Sequence, residues 1–129
     1  MNSPIWEKMY IKPGMKLRVI DPPEVVQNAM ALETELDFLE AGIATNVLWF
    51  VASKEAFHQG IAATLAATVP GGRLWIGYPK QSAKLGVDIH RDSLNELAQA
   101  HHLRAIRQIA IDSTWSVLGF QYEKKVQLG

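Results

Sequence analysis

Lys80 follows Tyr78 and Pro79 at the polar exit of a short apolar run, Leu74-Trp75-Ile76. A cation at the carboxyl end of a buried strand is placed to meet an anionic ligand, because open α/β sheets bind ligands in the crevice outside those ends. Read blandly, Lys80 is a solvated lysine that starts a loop. Tyr78 would be a hydrogen-bonding wall of that pocket, or a half-buried cap on the sheet. Ser53 and Lys54 leave the neighbouring apolar run and would face the same crevice, although serine there also suits a helix N-cap. Asp112 and Trp115 lie in the last turn and would add a rim; the indole contacts a ligand or packs on the sheet end. With Asp21 at the exit of the first strand, the candidate ligand-binding set is Asp21, Ser53, Lys54, Tyr78, Pro79, Lys80, Asp112 and Trp115.

No catalytic set can be assembled. There is no cysteine and no Gly-x-Ser-x-Gly, and Ser113 has no evident histidine partner. The adjacent His101 and His102 would point about 100 degrees apart on a helix, and His58 and His90 belong to other elements, so no metal site is expected.

Composition narrows the classes. The chain has 129 residues, with 13 basic and 13 acidic side chains and zero net charge. A balanced surface carries no broad positive field, which argues against sequence-independent nucleic-acid binding. The absence of cysteine excludes disulfides and thiolate chemistry. No apolar run approaches the roughly 18 residues of a membrane span, and the start lacks the basic head and apolar core of a signal peptide. The expected location is the cytoplasm. One domain is expected over 1–129, with a loosely tied lead-in (1–12) anchored by Trp6, Met9 and Tyr10, a core (13–124) and a tail (125–129).

The elements that must position the candidates follow from pattern. Met15 to Ile20 alternates apolar and basic residues, as a strand wetted on one face does. Asp21-Pro22-Pro23-Glu24 then reads as a helix start: Asp21 caps, proline takes the first helical position, and Glu24 completes a capping-box-like pattern. Leu36, Phe38 and Leu39 form either a short strand or the last turn of a helix. Val47 to Val51 is continuously apolar and suits a strand covered on both faces. A helix is predicted over Lys54 to Val69, with Phe57, Gly60, Ile61, Thr64, Leu65 and Thr68 as its buried stripe. Pro70-Gly71-Gly72 would stop that helix at a sharp turn before the next strand. A polar loop (81–88) precedes a helix with Leu94, Leu97, Ala98 and His101 on one face, and His102 stands where glycine would normally end it. Ala105 to Ile111 and Ser116 to Gln121 then form an antiparallel hairpin. The fold class is three-layer, Rossmann-like α/β: a mostly parallel sheet with an antiparallel C-terminal hairpin strand.

Helix, Pro-Gly-Gly, strand, polar exit, helix and terminal hairpin resemble the second half of a shortened class I methyltransferase fold, which binds S-adenosylmethionine. The chain also resembles a small, uncharacterised bacterial family on that fold. The resemblance runs from Tyr10 to Lys124 and rests on Ile11-Lys12-Pro13-Gly14, Pro23-Glu24, Leu48-Trp49, Gly71-Gly72, Trp75, Pro79-Lys80 and Trp115. It implies an architecture and brings no established activity. A working cofactor site of the fold resembles Glu/Asp-x-Gly-x-Gly-x-Gly after strand one, where this chain reads Val19-Ile20-Asp21-Pro22-Pro23-Glu24-Val25 without glycine. The fold also implies an acid for the cofactor ribose at the end of strand two, and Glu33, Glu35, Asp37 and Glu40 all lie nearby. Asp21-Pro22-Pro23 is similar to the Asp-Pro-Pro-Tyr motif of methyltransferases acting on base amino groups, but Glu24 stands where an aromatic should stack on a flipped base.

Two functions remain open at this stage. One is a non-catalytic methyltransferase-like module that needs no cofactor and binds a protein partner or small anionic ligand at the strand ends. The other is a small transferase using S-adenosylmethionine or a related nucleotide in an unconventional mode, through Lys80 and an acid of the 33–40 stretch. Neither nucleic acid nor membrane is an expected partner, and the exposed hairpin edge could pair with a second copy of the chain.

Overall fold

The computed structural model describes residues 4–80 and 87–123. Of the loop expected over 81–88, residues 81–86 lie outside the described residues, as does the expected tail. In chain order the elements are α1 (Pro4–Lys8), β1 (Lys16–Ile20), α2 (Glu24–Leu32), β2 (Asp37–Leu39), β3 (Ala44–Phe50), α3 (Lys54–Ala66), β4 (Thr68–Pro79), α4 (Arg91–Gln99), β5 (Leu103–Ala110) and β6 (Trp115–Tyr122). The sheet order is β2-β1-β3-β4-β6-β5. β2, β1, β3 and β4 run parallel, while β6 inserts antiparallel between β4 and β5. The expected mostly parallel sheet with its antiparallel hairpin is therefore present. The ambiguous 36–39 segment resolves as strand β2 beside β1.

Each face of the sheet buries its own core. Val47, Trp49, Leu74, Ile76 and Leu118 pack with Phe57 and Ile61 of α3 and Leu94 and Ala98 of α4. On the other face Leu17, Leu48, Phe50, Trp75 and Val117 pack with Val26 of α2 and with Ile5, Trp6, Met9 and Ile11. Alternation along each strand sends successive side chains to opposite layers, so strands covered twice read as continuous apolar runs. Gly119 makes room for one indole: a Cβ there would lie 2.4 Å from the Trp75 ring.

Three expectations need correction. Trp6 and Met9 anchor the lead-in as expected, but from Pro4 on it is no loose tie: α1 and the turn after it place both side chains, essentially inaccessible, in the second core. Tyr10, by contrast, is exposed and stacks under the Arg107 guanidinium. The third helix ends at Ala66, and Pro70-Gly71-Gly72 lies inside β4. Between Ala44↔Thr68 and Asn46↔Arg73 the partner strand advances two residues while β4 advances five, so the glycines form a bulge, with Gly71 at φ +87. Finally, Asp21 does not cap α2. Pro23 takes the N-cap position and Glu24 the first helical one, while Asp21 adopts a left-handed backbone at φ 53. Aspartate tolerates that conformation better than most residues, so Asp21 performs the reversal otherwise left to glycine. His102 also adopts the left-handed conformation expected of it, at φ 63.

Candidate functional site

β1, β3 and β4 end on one edge of the sheet, and the β5–β6 turn reaches the same edge because Trp115 pairs with Pro79. All eight candidates therefore lie along this carboxyl edge. They are strung from β1 across β3, β4 and β6 to β5, four strand spacings or about 19 Å. That span exceeds one small ligand, so the structure does not gather them into a single pocket. The strand order reverses between β1 and β3, where the chain leaves β1 for β2 on one side and returns to build β3 on the other. Asp21 and Ser53 flank that switch point, which is where ligands of such sheets bind.

Most of the candidates are held by structural bonds. The Ser53 side chain accepts from the Ala56 amide at 3.0 Å and caps α3. The Lys54 amide donates to Asp88 Oδ1 at 3.0 Å, so a carboxylate of the chain itself already occupies the positive end of that helix. The Tyr78 hydroxyl accepts from Gln108 Nε2 at 2.8 Å and lies beside Ser116. Burial pushes its phenol above the ordinary value, and these hydrogen bonds and the Arg91 charge only partly oppose this. Pro79 is buried opposite Trp115 at the end of the β4–β6 ladder. Asp112 Oδ1 accepts from the amides of Thr114 and Trp115, both at 2.8 Å, and so closes the hairpin turn. Trp115 packs edge-on against Phe50, with 5.5 Å between ring centroids. Lys80 is half-buried, and its amide donates to Thr114 O at 2.7 Å. Asp21 is exposed.

The β1–α2 turn decides how closely a nucleotide-like ligand could approach. Pro22 and Pro23 carry no N–H, leaving Asp21 the one backbone donor of the three-residue turn. Gln27 Nε2 donates to Pro22 O at 2.9 Å and ties the turn to its own helix. The residues present do not fit the glycine-cradled cofactor site of the fold. One acid, however, is now distinguished. Glu33 is buried and accepts from the Glu35 amide at 2.9 Å, and Asp37 begins β2. Glu40, exposed, directly follows β2 at its carboxyl end. Sequence reasoning could not single it out, because the β2 boundary was not legible.

No protein-family model matches this chain, and no curated protein matches it. Solved structures do. The N-methyltransferase NodS from Bradyrhizobium japonicum WM9, in complex with S-adenosyl-L-homocysteine, superposes with a TM-score of 0.60 over 93% of this chain and 84% of its own, at 8% identity. The fibrillarin pre-rRNA processing protein of Methanococcus jannaschii gives 0.58 over 88% and 69%, at 11% identity. A SAM-dependent methyltransferase from Aquifex aeolicus gives 0.55 over 92% and 88%, at 12% identity. At such identities the likeness establishes the fold: the chain has the Rossmann-like α/β fold of the class I methyltransferases.

Proposed function

We propose that this chain is a binding module on a methyltransferase-like fold, without methyl-transfer activity, whose carboxyl edge meets a protein partner or a small anionic ligand. The observation that carries this reading is the β1–α2 turn. Asp21 makes the left-handed reversal and two prolines follow it, so the close backbone approach and the amide donors of a glycine turn are both lost. The Ser53 hydroxyl and the Lys54 amide at the start of α3 are already paired within the chain, which favours the protein partner over an anion at that helix end.

Glu40 favours the second reading, a transferase that holds S-adenosylmethionine or a related nucleotide in an unconventional mode. Calorimetric titration separates the two. A silent titration with S-adenosylmethionine and with S-adenosylhomocysteine, at ligand concentrations near about 1 mM, supports the binding module. A saturable heat that Glu40→Gln weakens would establish the transferase reading instead.

A further inference from the structure

The opposite edge of the sheet, formed by the amino ends of β1, β3 and β4, carries two adjoining cavities. One, of about 290 Å³, is bordered by Tyr10, Asn46, Gly71, Gly72, Arg73 and Gln121. The other, of about 480 Å³, is bordered by Lys16, Leu39, Ile43, Ala44 and Val69, with Leu39 and Ala44 on the face covered by α3 and α4. They share Met15, Thr45 and Asn46. The Gly-Gly bulge of β4 shapes the wall between strands. A Cβ at Gly72 would lie 2.6 Å from Thr45 O and 2.8 Å from Val69 O, so only glycine lets the two backbones come so close.

Polar groups converge here in register. Asn46 of β3 stands beside Arg73 of β4, and Arg73 beside Gln121 of β6. Leu48, Trp75 and Gly119, two positions along each strand, lie on the face covered by α1 and α2, so the three polar side chains share that face. Gln121 Nε2 is tied to Gly71 O at 2.5 Å. Asn46 is only 7% exposed and borders both cavities. Arg73 has no ion-pair partner among the described residues. A nearly buried amide and a guanidinium without an ion-pair partner, side by side in the smaller cavity, are half of a recognition site.

We propose that this amino edge binds a small amphipathic carboxylate. Its two oxygens accept from the Arg73 guanidinium fork and from the Asn46 amide, and its apolar body lies in the same cavity against Met15 and the Tyr10 ring. The site is separate from the carboxyl edge and does not depend on what binds there.

Amide NMR of the intact chain titrated with phenylacetate tests this, with phenylacetamide as the uncharged control. Phenylacetate at about 10 mM should shift Asn46, Gly71, Gly72 and Arg73, and phenylacetamide should leave them in place. Arg73→Gln should weaken phenylacetate binding roughly tenfold or more, and Arg73→Lys by less, because lysine keeps the charge and loses the fork. No shifts, equal shifts from both compounds, or shifts gathered at Asp21 and Ser53 would overturn the proposal. The comparison of acid with amide on the native chain holds even if an Arg73 variant does not fold.

Discussion

Replacing Trp6 with alanine should cost this protein a large share of its stability. Trp6 is 1% exposed, sits 5.2 Å from the Phe38 ring by centroids, and packs among Met9, Leu17 and Val26. Truncating a buried tryptophan costs about 3–5 kcal/mol. A chain of this length is stable by roughly 6–19 kcal/mol, at about 0.05–0.15 kcal/mol per residue. With an unfolding entropy of about 2.1 cal/mol/K per residue, each kcal/mol moves the midpoint by about 4 °C, so Trp6→Ala should lower Tm by about 11–18 °C. One feature tempers the loss. The Trp6 indole N–H is buried with no hydrogen-bond partner among the described residues, and an unpaired donor subtracts from what the ring contributes. Trp6→Phe removes that donor and should cost clearly less than Trp6→Ala. Thermal and urea unfolding followed by circular dichroism measure both variants. A loss under about 1 kcal/mol for Trp6→Ala would refute the account of α1 as part of the second core.

Further expectations concern the carboxyl edge. Tyr78 has its folded pKa raised by burial, so its contribution is fully present below the unfolded value of about 10 and is lost as pH rises toward the folded one. Denaturant unfolding should therefore show stability declining above about pH 10, and Tyr78→Phe should flatten that decline; an unchanged slope would rule Tyr78 out as its source. Ser53→Ala should cost about 1 kcal/mol by removing the cap on the Ala56 amide. Asp88→Ala should also destabilise, and a double-mutant cycle with Ser53→Ala should reveal coupling at the start of α3, whereas strict additivity would mean that the two caps act independently.

What could be read in advance depended on how local the determining physics was. Val47 to Val51 and Leu74 to Ile76 declare themselves, because a strand covered on both faces needs apolar residues without gaps. Ser53 caps α3 through a contact three residues away, within reach of pattern reading. The hairpin announced itself through the polar turn that Asp112 closes. Pro70-Gly71-Gly72 misled, because a proline followed by two glycines after an alanine-rich run has the local chemistry of a helix exit. Its place in a bulge depends on register against β3, which only the assembled sheet defines. The lead-in was half legible: Trp6 and Met9 stand out as anchors, but that they fill the second core from a short helix is defined only by the assembled sheet. The acid at the end of β2 stayed hidden because a three-residue strand leaves almost no period to detect. Of the candidate set, the common edge was legible. The internal bonds that occupy much of it were not, since Asp88 reaches the Lys54 amide from 34 positions away.

The role of the β1–α2 turn is tested most directly by diffraction from crystals soaked with S-adenosylmethionine, with the density inspected between Asp21 and Glu40. The rigid, donor-poor turn predicts no ordered nucleoside there. Adenosine seated against Asp21, with its ribose on Glu40, would contradict the account and return the chain to the cofactor-binding members of its fold.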